Sequence, residues 1–401
     1  MKLTFVTPRV GDDIVGGAEH AVLMLAENCV KYGDVEVNIL STVAGDERTW
    51  SPRYEVGSDV VHGINVHRYV NEAINRIEFD NWARPLLDRP SAVSSELFDK
   101  WLIQQGPYSP DLLDAIENCN SDAIVFHPML SSPTSHGVFR ARCPVIIHPA
   151  FHDEPLSRMP GYGDVMRRAD LIAFSTRYEQ QLAQNIIGIE LQRQSVLGFG
   201  VDSPSEPSAA KNQKILLELG LESSRYAIVI GRVDPAKGAD MCFELFRNFA
   251  SSIKGIDKLV FVGPMSPSSI VRESNNVTIA GAVDDETKWA LLGHARCLIS
   301  PSVTESFSLV VLEAMKMGVP VLVNGSCGPT REHVVRSSSG AYFCNSTQFI
   351  SSLDICSIDS PLRTLMIQRA QKYVDEYYDW ETLISRYIGS IEAAISFSTN
   401  S

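Results

Sequence analysis

Short runs of apolar residues alternate along the chain with longer segments in which apolar residues recur every three or four positions. Runs rich in Val and Ile predict buried strands, and the segments between many of them predict helices. Strands that are apolar on both faces and separated by helices indicate largely parallel sheets covered on both sides. The predicted strands occupy residues 2–8, 35–40, 63–69, 123–126, 144–148, 171–174, 195–198, 226–230, 258–262, 277–280, 297–300 and 320–323.

Two stretches interrupt this pattern. Residues 71–118 hold aromatic side chains among prolines and charges, and they predict an insertion of short helices. After Asp202 a stretch rich in Pro and Ser lacks apolar periodicity, which is typical of a linker. A length of 401 residues also exceeds one ordinary core. We therefore predict an α/β domain at 1–203, a linker at 204–212, a second α/β domain at 213–375, and a helix at 376–401 that packs back on the first domain.

Composition narrows the class of protein. The chain is 44% hydrophobic and 21% charged, as is usual for globular proteins, and no apolar run approaches the roughly 18 residues that a membrane span needs. The start, MKLTFVTP, is typical of a buried strand rather than a signal peptide. Eight cysteines occur without a C-x2-C pair, and several lie within apolar stretches. This indicates reduced core thiols and a cytoplasmic protein.

The net charge of −13 is shared unevenly between the two halves. Residues 1–203 hold 17 Lys and Arg against 27 Asp and Glu, whereas the remainder holds 18 against 21. An acidic first half disfavours nucleic acid and, more weakly, anionic lipid. We expect no nucleic-acid partner, at most peripheral membrane association, and any bound phosphate mainly on the second half.

The corner after the predicted strand 297–300 carries two glutamates. Ser300–Pro320 reads SPSVTESFSLVVLEAMKMGVP, which places Glu305 in a loop and Glu313 just inside a helix. Helical side chains lean toward the N-terminus, so Glu313 can reach toward the spot that Glu305 faces. Backbone N–H groups at that end of the helix favour an anion. Backbone amides can bind the phosphates of a sugar nucleotide, and the neighbouring carboxylates can bind its hydroxyls, so the corner suits such a ligand. The alternative is a surface helix with two solvated glutamates.

A basic loop opens the second half. The buried strand 226–230 ends at Gly231, and Arg232 and Lys237 flank the short loop that follows. A guanidinium and an ammonium in one loop can both contact a diphosphate, although a solvated basic loop is equally compatible with the pattern alone. The glutamate corner follows some 70 residues later in the same α/β unit, and the combination favours a donor site.

The first strand is followed by a glycine turn. Gly16-Gly17-Ala18-Glu19 precedes a helical pattern, which is the opening of a Rossmann-like unit whose glycines let the backbone approach a ligand. Taken alone, a GG pair is as often only a turn.

These motifs together resemble the retaining, GT-B-fold glycosyltransferases of family 4, and the resemblance covers nearly the whole chain. It implies two Rossmann-like domains whose parallel sheets face a cleft, with a C-terminal helix that crosses back to the first domain. The motifs are specific for the family and not for a substrate. They are Gly16–Glu19, Gly198–Asp202, Gly231–Lys237, Gly263-Pro264, Asn276–Gly281 with the helix that follows, and Pro301–Pro320.

The resemblance assigns roles to side chains at the matching positions. It implies that Arg232 and Lys237 neutralise the donor diphosphate and stabilise the leaving group. It further implies that Glu313 accepts hydrogen bonds from the ribose hydroxyls and Glu305 from the transferred sugar.

The resemblance also assigns roles to backbone groups. It implies that the N–H groups of Phe307, Ser308 and Leu309 face the diphosphate, and that the backbone around Ala282 and Val283 holds the base. Gly16 and Gly17 would let the first domain close over the phosphates.

Two serines depart from the family pattern, which has glycines around the phenylalanine. Here Ser306 and Ser308 flank Phe307. Serine is a competent helix N-cap, and its hydroxyl can add a phosphate contact while narrowing the sugar pocket. The departure bears on the identity of the donor rather than on its class.

Members of the family often place a histidine of the first domain near the anomeric carbon. The stretch PVIIHPAFHDE offers His148 and His152. We favour His152, because it follows the strand end and Asp153 can orient its ring, whereas His148 lies within the apolar run and is typical of a core histidine.

No D-x-D triplet occurs in the chain, and metal-dependent glycosyltransferases commonly hold their ion with such a pair. We therefore expect no metal and no cofactor. Cationic side chains and a helix N-terminus would supply the positive charge that a metal ion otherwise provides. The pairs Asp12-Asp13 and Asp284-Asp285 are interpreted as solvated loop residues.

The sequence thus predicts a retaining, metal-independent glycosyltransferase that moves a sugar from a nucleotide diphosphate donor to a hydroxyl of a glycan or lipid-linked glycan acceptor. UDP-glucose is the first expectation for the donor and GDP-mannose the second. A UDP-sugar 2-epimerase of the same fold and a non-catalytic sugar-nucleotide-binding subunit are the alternatives. Aromatic rings of the 71–118 insertion, for their part, either stack on the sugar acceptor or form a small core of their own.

Overall fold

The computed structural model describes residues 1–12, 14, 17–188, 193–202, 209–223, 225–249 and 253–398. The chain divides into two compact units, one formed by Met1–Gly200 with Trp380–Ser401 and the other by Val201–Asp379. Of the predicted linker, residues 204–208 lie outside the described residues. Residues 209–212 are helical rather than irregular, because they begin a helix that continues to Glu218.

The first unit is built on one eight-stranded sheet with the order β3-β4-β2-β1-β5-β6-β7-β8. Only the β3–β4 pair is antiparallel; the other neighbours pair in parallel. The strands are β1 (Lys2–Val6), β2 (Glu36–Thr42), β3 (Gly57–Val61), β4 (Ile64–Tyr69), β5 (Ala123–Phe126), β6 (Val145–Ile147), β7 (Leu171–Phe174) and β8 (Gln194–Val196).

Helices connect these strands and cover the sheet. In β5 and β7 every residue is buried, which is the burial expected of a parallel strand covered on both faces and confirms the interpretation of the Val- and Ile-rich runs. The helices are α1 (Gly17–Gly33), α2 (Arg76–Asp88), α3 (Ser95–Gln105), α4 (Pro110–Glu117), α5 (Ser132–Arg140), α6 (Pro160–Arg168) and α7 (Arg177–Ile187), with short 3-10 turns at Pro90–Ala92 and Pro155–Arg158.

Strand β3 was not predicted. Its sequence GSDVV is mostly exposed at the edge of the sheet, so it lacks the apolar run that marked the buried strands. It pairs with β4 through a turn at His62 and Gly63, which both have positive φ, of 48° and 81°. Two positive φ angles in a two-residue turn are the geometry of a tight hairpin, and the His-Gly pair was the signal that could have indicated it.

The predicted insertion at 71–118 forms α2, α3 and α4 with one 3-10 turn. Its rings Phe79, Phe98 and Trp101 are buried within the hydrophobic core of the first unit. Phe98 lies edge-on to Tyr162 of α6, with ring centroids 4.8 Å apart. These rings therefore stabilise the first unit, which leaves only the half-buried Trp82 and Tyr108 of the predicted aromatic set with exposed surface.

The second unit is built on a six-stranded, all-parallel sheet with the order β11-β10-β9-β12-β13-β14. Its strands are β9 (Tyr226–Ile230), β10 (Lys258–Val262), β11 (Val277–Gly281), β12 (Cys297–Ser300), β13 (Val321–Asn324) and β14 (Ala341–Phe343). The edge strand β14 was not predicted, because it is only three residues long and only Phe343 is buried in it.

Seven helices within the described residues surround this second sheet. They are α8 (Ala209–Glu218), α9 (Ala239–Phe249), α10 (Asp285–Gly293), α11 (Leu309–Lys316), α12 (Gly328–Ser337), α13 (Ser346–Ser357) and α14 (Pro361–Tyr377). Helices α9, α10 and α11 each lie between two of the predicted strands, where the sequence pattern indicated helices.

The last helix returns to the first unit. Helix α15 (Trp380–Ser398) buries Leu383, Ile384 and Ile391, and a Cβ atom added to Gly33 at the end of α1 would lie 3.3 Å from Cγ2 of Ile384. The hydroxyl of Tyr387 lies 3.1 Å from Nε2 of His148, which follows β6. The helix begins at Trp380 rather than at residue 376, because α14 ends at Tyr377. Within the described part of the chain no helix is long and apolar enough to cross a membrane.

Candidate functional site

The loop after β9 is shaped by an aspartate. Oδ1 of Asp234 accepts a hydrogen bond of 2.8 Å from the backbone N–H of Lys237, and Oδ2 lies 3.4 Å from Nε of Arg232. Gly238 closes the loop at φ 74°, and a Cβ atom there would lie 2.5 Å from the carbonyl oxygen of Pro301. Only glycine permits that approach, so this position holds the basic loop against the segment that follows β12.

Lys237 and Glu305 meet as a result. Nζ of Lys237 lies 2.8 Å from Oε1 of Glu305, and both side chains are half-buried. Arg232 is more open, with about half of its side chain exposed (51%). The structure therefore brings together the basic loop and the glutamate corner that the sequence singled out separately.

Ser308 is the N-cap of α11 by position, but it caps through no side-chain hydrogen bond. Its backbone has φ 70° and ψ 78°, the left-handed conformation. The expectation that its hydroxyl caps the helix is therefore wrong, since side-chain capping uses an extended backbone at this position. A left-handed residue is also where glycine is favoured, which gives a physical reason for glycine in the family pattern.

Ser308→Gly is expected to raise the thermal midpoint of unfolding by about 2 °C. Glycine removes the strain of about 1–2 kcal/mol that a left-handed backbone imposes on serine. Its greater conformational freedom in the unfolded chain cancels roughly half of that gain in stability. Ser306→Gly is the matched control, because Ser306 is not among the residues with positive φ and gains only entropy. Differential scanning calorimetry measures both, and a lower midpoint for Ser308→Gly than for Ser306→Gly would contradict the assignment of strain.

Glu313 lies one turn inside α11 and is paired with Lys288 of α10. Nζ of Lys288 lies 3.2 Å from Oε1 of Glu313 and 3.2 Å from Oδ1 of Asp285. Burial raises the pKa of Glu313, although Lys288 opposes the shift. Burial alone would lower the pKa of Lys288, but Glu313 and Asp285 reverse this and raise it. The contact with Lys288 holds the Glu313 carboxyl group in one place.

Lys288 was missed by the sequence analysis, and the Asp284-Asp285 pair was misinterpreted. Asp284 is the N-cap of α10, because its Oδ1 accepts a hydrogen bond of 2.8 Å from the N–H of Thr287. Asp285 lies in the first turn and contacts Lys288 one turn later. The signal that could have found them is an acidic N-cap followed by an i, i+3 charge pair.

Ala282 and Val283 lie between β11 and α10, at the carboxyl end of the sheet. Arg232 follows β9 and Glu305 follows β12, so all of these segments lie along one edge of a parallel sheet. In open α/β sheets, ligands bind at this edge.

In the first unit, Gly16 lies outside the described residues, and Gly17 is the first residue of α1. A Cβ atom added to Gly17 would meet nothing within 4 Å, so no contact inside the described structure requires glycine there. Glu19 of the same motif lies 2.6 Å from Nε of the buried Arg9. Arg9 also donates a hydrogen bond of 2.9 Å to the carbonyl of Gly45, which ties the β1–α1 connection to the loop after β2.

The two candidate histidines differ sharply in their surroundings. His148 is buried beside Tyr387, and burial lowers its pKa to about 3, as is typical of a neutral core histidine. His152 is partly exposed, and its Nδ1 lies 3.6 Å from Oε1 of Glu154. Asp153 pairs with Arg158 instead, so the expectation that Asp153 orients the His152 ring is wrong.

The backbone before His152 is held in a strained form by a buried glutamate. Ala150 has φ 51°, and the N–H of Phe151 donates to Oε1 of Glu179 at 2.7 Å. The other oxygen of Glu179 accepts from the N–H of Ser175 at 2.6 Å. Burial raises the pKa of Glu179 to about 7, against these hydrogen bonds and the nearby His152, which lower it. The motif Thr176-x-x-Glu179, a helix capping pattern, was the overlooked signal.

No group of three or more His, Cys, Asp and Glu side chains in the described residues is arranged to hold a metal ion. Metal independence is not tested by this finding and stays a prediction.

Comparison with known proteins finds a family whose model matches part of this chain. Residues 213–373 match the model of the family described as Glycosyl transferases group 1. Among curated relatives, the D-inositol 3-phosphate glycosyltransferase of Segniliparus rotundus is 27% identical over 60% of this chain and 56% of its own length. That of Mycobacterium bovis is 30% identical over 42% of this chain and 37% of its own. The matches thus span little more than half of the first relative and less of the second.

Solved structures extend the likeness to the whole chain. Anabaena HepE, crystallised with UDP, covers 98% of this chain and all of its own, with a TM-score of 0.69 at 17% identity. The sucrose-phosphate synthase of Thermosynechococcus elongatus covers 99% of both chains, with a TM-score of 0.69 at 14% identity. Identities this low establish the fold only. Together with the two sheets and the returning helix α15, these comparisons identify a chain of the GT-B fold in which residues 213–373 match the model of the glycosyl transferases group 1 family.

Proposed function

We propose that the chain is a retaining, metal-independent glycosyltransferase that transfers glucose from UDP-glucose to a hydroxyl of a glycan or lipid-linked glycan, with GDP-mannose as the second candidate donor. The observation that carries the proposal is the pair formed by Lys237 and Glu305, 2.8 Å apart beside the N-terminus of α11. A cation, a carboxylate and a helix N-terminus in one place match a diphosphate joined to a sugar.

The donor's diphosphate binds Lys237, Arg232 and the amides of Phe307, Ser308 and Leu309 in this proposal. Since the diphosphate then takes Lys237 as its partner, the Glu305 carboxylate becomes available to the hydroxyls of the transferred sugar. Arg232 adds a planar fork for phosphate oxygens from an exposed position. The ribose hydroxyls donate to Glu313, which Lys288 orients, and the base lies against the backbone of Ala282 and Val283.

Retention follows from attack on the face that the phosphate leaves. The bond from the anomeric carbon to the phosphate oxygen breaks, the bond to the acceptor oxygen forms on the same side, and the departing phosphate oxygen takes the acceptor proton. Arg232, Lys237 and the helix N-terminus stabilise the charge that develops on the diphosphate. These groups supply the positive charge that a metal ion would otherwise provide. His152 is the proposed catalytic residue of the first unit.

The names of the similar proteins support two refinements. HepE was crystallised with UDP-glucose, and an Escherichia coli trehalose-6-phosphate protein was crystallised with UDP-2-fluoro glucose, which favours UDP-glucose as donor. The curated relatives are named for D-inositol 3-phosphate, so an inositol phosphate is the second candidate acceptor. All eight cysteines are free, which supports the proposed cytoplasmic location.

Thermal unfolding with UDP, GDP, UDP-glucose and GDP-mannose tests the donor. A ligand at about 100 times its dissociation constant adds about 2.7 kcal/mol to native stability, or roughly 5–10 °C in the midpoint. We expect UDP-glucose to give the largest shift. A larger shift with GDP-mannose would reassign the donor, and no shift with any of the four would refute the proposal.

Two further assays separate the alternatives. Incubation with UDP-glucose and no acceptor produces a sugar epimer only if the chain is a 2-epimerase. Tight UDP binding without any donor hydrolysis or transfer would favour a non-catalytic binding subunit. For a transferase, NMR of the product reports the anomeric configuration, and turnover that persists in excess EDTA establishes metal independence.

A further inference from the structure

A buried histidine lies next to the donor corner, by which we mean the loop that carries Arg232 and Lys237 together with the corner that carries Glu305 and Glu313. His333 belongs to α12, is fully buried, and was not part of any sequence motif we identified. Its Nε2 lies 3.1 Å from the carbonyl oxygen of Phe307, and its Nδ1 lies 3.1 Å from the hydroxyl of Tyr373. Its ring also packs edge-on against the Phe307 ring, with centroids 5.1 Å apart.

The chemistry of these partners determines the tautomer. A carbonyl oxygen only accepts, so Nε2 of His333 must carry the proton and donate it to Phe307. Burial lowers the pKa of His333 to about 3, so the ring is neutral near pH 7 and Nδ1 accepts from Tyr373. The oxygen of Tyr373 in turn lies 3.1 Å from the hydroxyl of Tyr378. The chain of donors therefore runs from Tyr378 through Tyr373 and His333 to the Phe307 carbonyl.

The hydrogen bond to Phe307 also sets the direction of the next amide. The carbonyl of Phe307 and the N–H of Ser308 belong to one planar trans peptide, in which the two groups point in opposite directions. Because the carbonyl points to the buried His333, the Ser308 N–H points away from it. Ser308 is also left-handed, and a strained residue keeps its conformation only where its surroundings over-determine it.

The two other fully buried histidines show that this arrangement is not a general feature of the core. In the described part of the chain, Nε2 of His127 and Nδ1 of His148 have no hydrogen-bond partner. His333 has a partner on both nitrogens, one of which is a backbone atom of the donor corner.

We infer that His333 is a positioning residue that aims the Ser308 N–H at the donor diphosphate, with Tyr373 and Tyr378 holding it in the donating tautomer. This inference rests on the proposed function, since it takes the N-terminus of α11 to be the diphosphate site. It adds a residue from α12 that acts only through the Phe307–Ser308 peptide.

The test compares His333→Leu, His333→Gln and Tyr226→Phe in the full chain. Leucine removes the donor to Phe307, whereas the glutamine amide can replace it. Tyr226→Phe is the matched control, because the Tyr226 hydroxyl donates a buried hydrogen bond of 2.6 Å to the carbonyl of Leu291 in the same unit, and this bond does not involve the Phe307–Ser308 peptide. Calorimetry measures the dissociation constant for UDP, and hydrogen exchange with mass spectrometry follows the amides of residues 306–311.

We expect His333→Leu to weaken UDP binding by about tenfold and to speed amide exchange at residues 306–311 by at least about tenfold. A tenfold change is what the loss of one well-made hydrogen bond produces in an equilibrium. His333→Gln is expected to remain within about threefold of the wild type in both measurements. Tyr226→Phe is expected to lower the thermal midpoint without affecting either measurement.

Unchanged exchange and UDP affinity in folded His333→Leu would overturn the inference and leave the proposed function intact. A wild-type chain that binds neither UDP nor GDP would overturn both. If His333→Leu does not fold, Tyr373→Phe takes its place, because it removes the donor to Nδ1 and leaves the histidine; it is expected to show the same two changes to a smaller degree, and their absence would overturn the role of the tyrosines.

Discussion

Glu305→Ala is expected to lower turnover by about 10²–10³-fold while leaving UDP binding unchanged or slightly tighter. The loss is expected because Glu305, in the proposed site, contacts the sugar hydroxyls during transfer, and removal of one such preorganised group costs that much in rate. UDP lacks the transferred sugar that Glu305 is proposed to contact, so its affinity is not expected to depend on Glu305. Removal of the carboxylate also leaves Lys237, now 2.8 Å from Glu305, wholly to the diphosphate. Steady-state kinetics with UDP-glucose and calorimetry with UDP measure the two effects.

A surface pair provides the control for the Glu305 variant. Glu286 of α10 pairs with Lys211 of α8 in the same unit, and both side chains are exposed. Glu286→Ala removes a carboxylate from an ion pair of the same type outside the donor corner, where such pairs contribute little. Its turnover is expected to equal that of the wild type. Near-normal turnover in purified, folded Glu305→Ala would refute the assignment of the donor corner.

Glu313→Leu is expected to lower the free energy of unfolding by about 3 kcal/mol and to weaken nucleotide binding at least about tenfold. The change leaves the half-buried Lys288 ammonium with only the exposed Asp285 to compensate it. Loss of one member of a buried pair costs more than the pair contributes, because the remaining charge stays desolvated. Calorimetric unfolding measures the loss of stability, and calorimetric titration with UDP measures the loss of nucleotide affinity.

The double variant Glu313→Leu with Lys288→Met separates stability from binding. Removal of both charges is expected to recover most of the unfolding free energy, because apolar side chains of similar volume replace a desolvated pair. Nucleotide binding is expected to stay weak, since no carboxylate remains for the ribose hydroxyls. Recovery of binding together with stability would show that Glu313 acts only as a structural residue.

The sheets and the corner could be predicted because their signals are local. Buried parallel strands are continuous apolar runs, so β5 (AIVF) and β7 (LIAF) were evident, and a helix after β12 followed from the apolar stripe of Leu312 and Met315. Strand β3 was missed because most of its residues are exposed, so that it lacks a buried apolar run, and because it is held by pairing with β4.

The partners of the site residues could not be predicted, because they come from distant parts of the chain. Lys288 lies on a different helix from Glu313, and nothing in its local sequence shows that its ammonium nitrogen lies 3.2 Å from an oxygen of the Glu313 carboxylate. The same is true of Glu179 on α7, which accepts a hydrogen bond from the backbone before His152. It is also true of His333 on α12, which contacts the carbonyl of Phe307. The orienting role given to Asp153 failed for a different reason, because Arg158, only five residues later, contacts its carboxylate.

The sequence by itself determined the class of fold, the residue types of the candidate site and the resemblance to a family, because strand composition, glycine turns and the Arg232, Lys237, Glu305 and Glu313 pattern are properties of neighbouring residues. Only the tertiary structure decided how those residues are held: the contact of Lys237 with Glu305, the left-handed Ser308, and the buried groups that orient Glu313 and Phe307. The physical reason is burial. Charge pairs, ring tautomers and strained backbone persist only where packing excludes water and leaves one set of partners, and packing is a property of the folded chain.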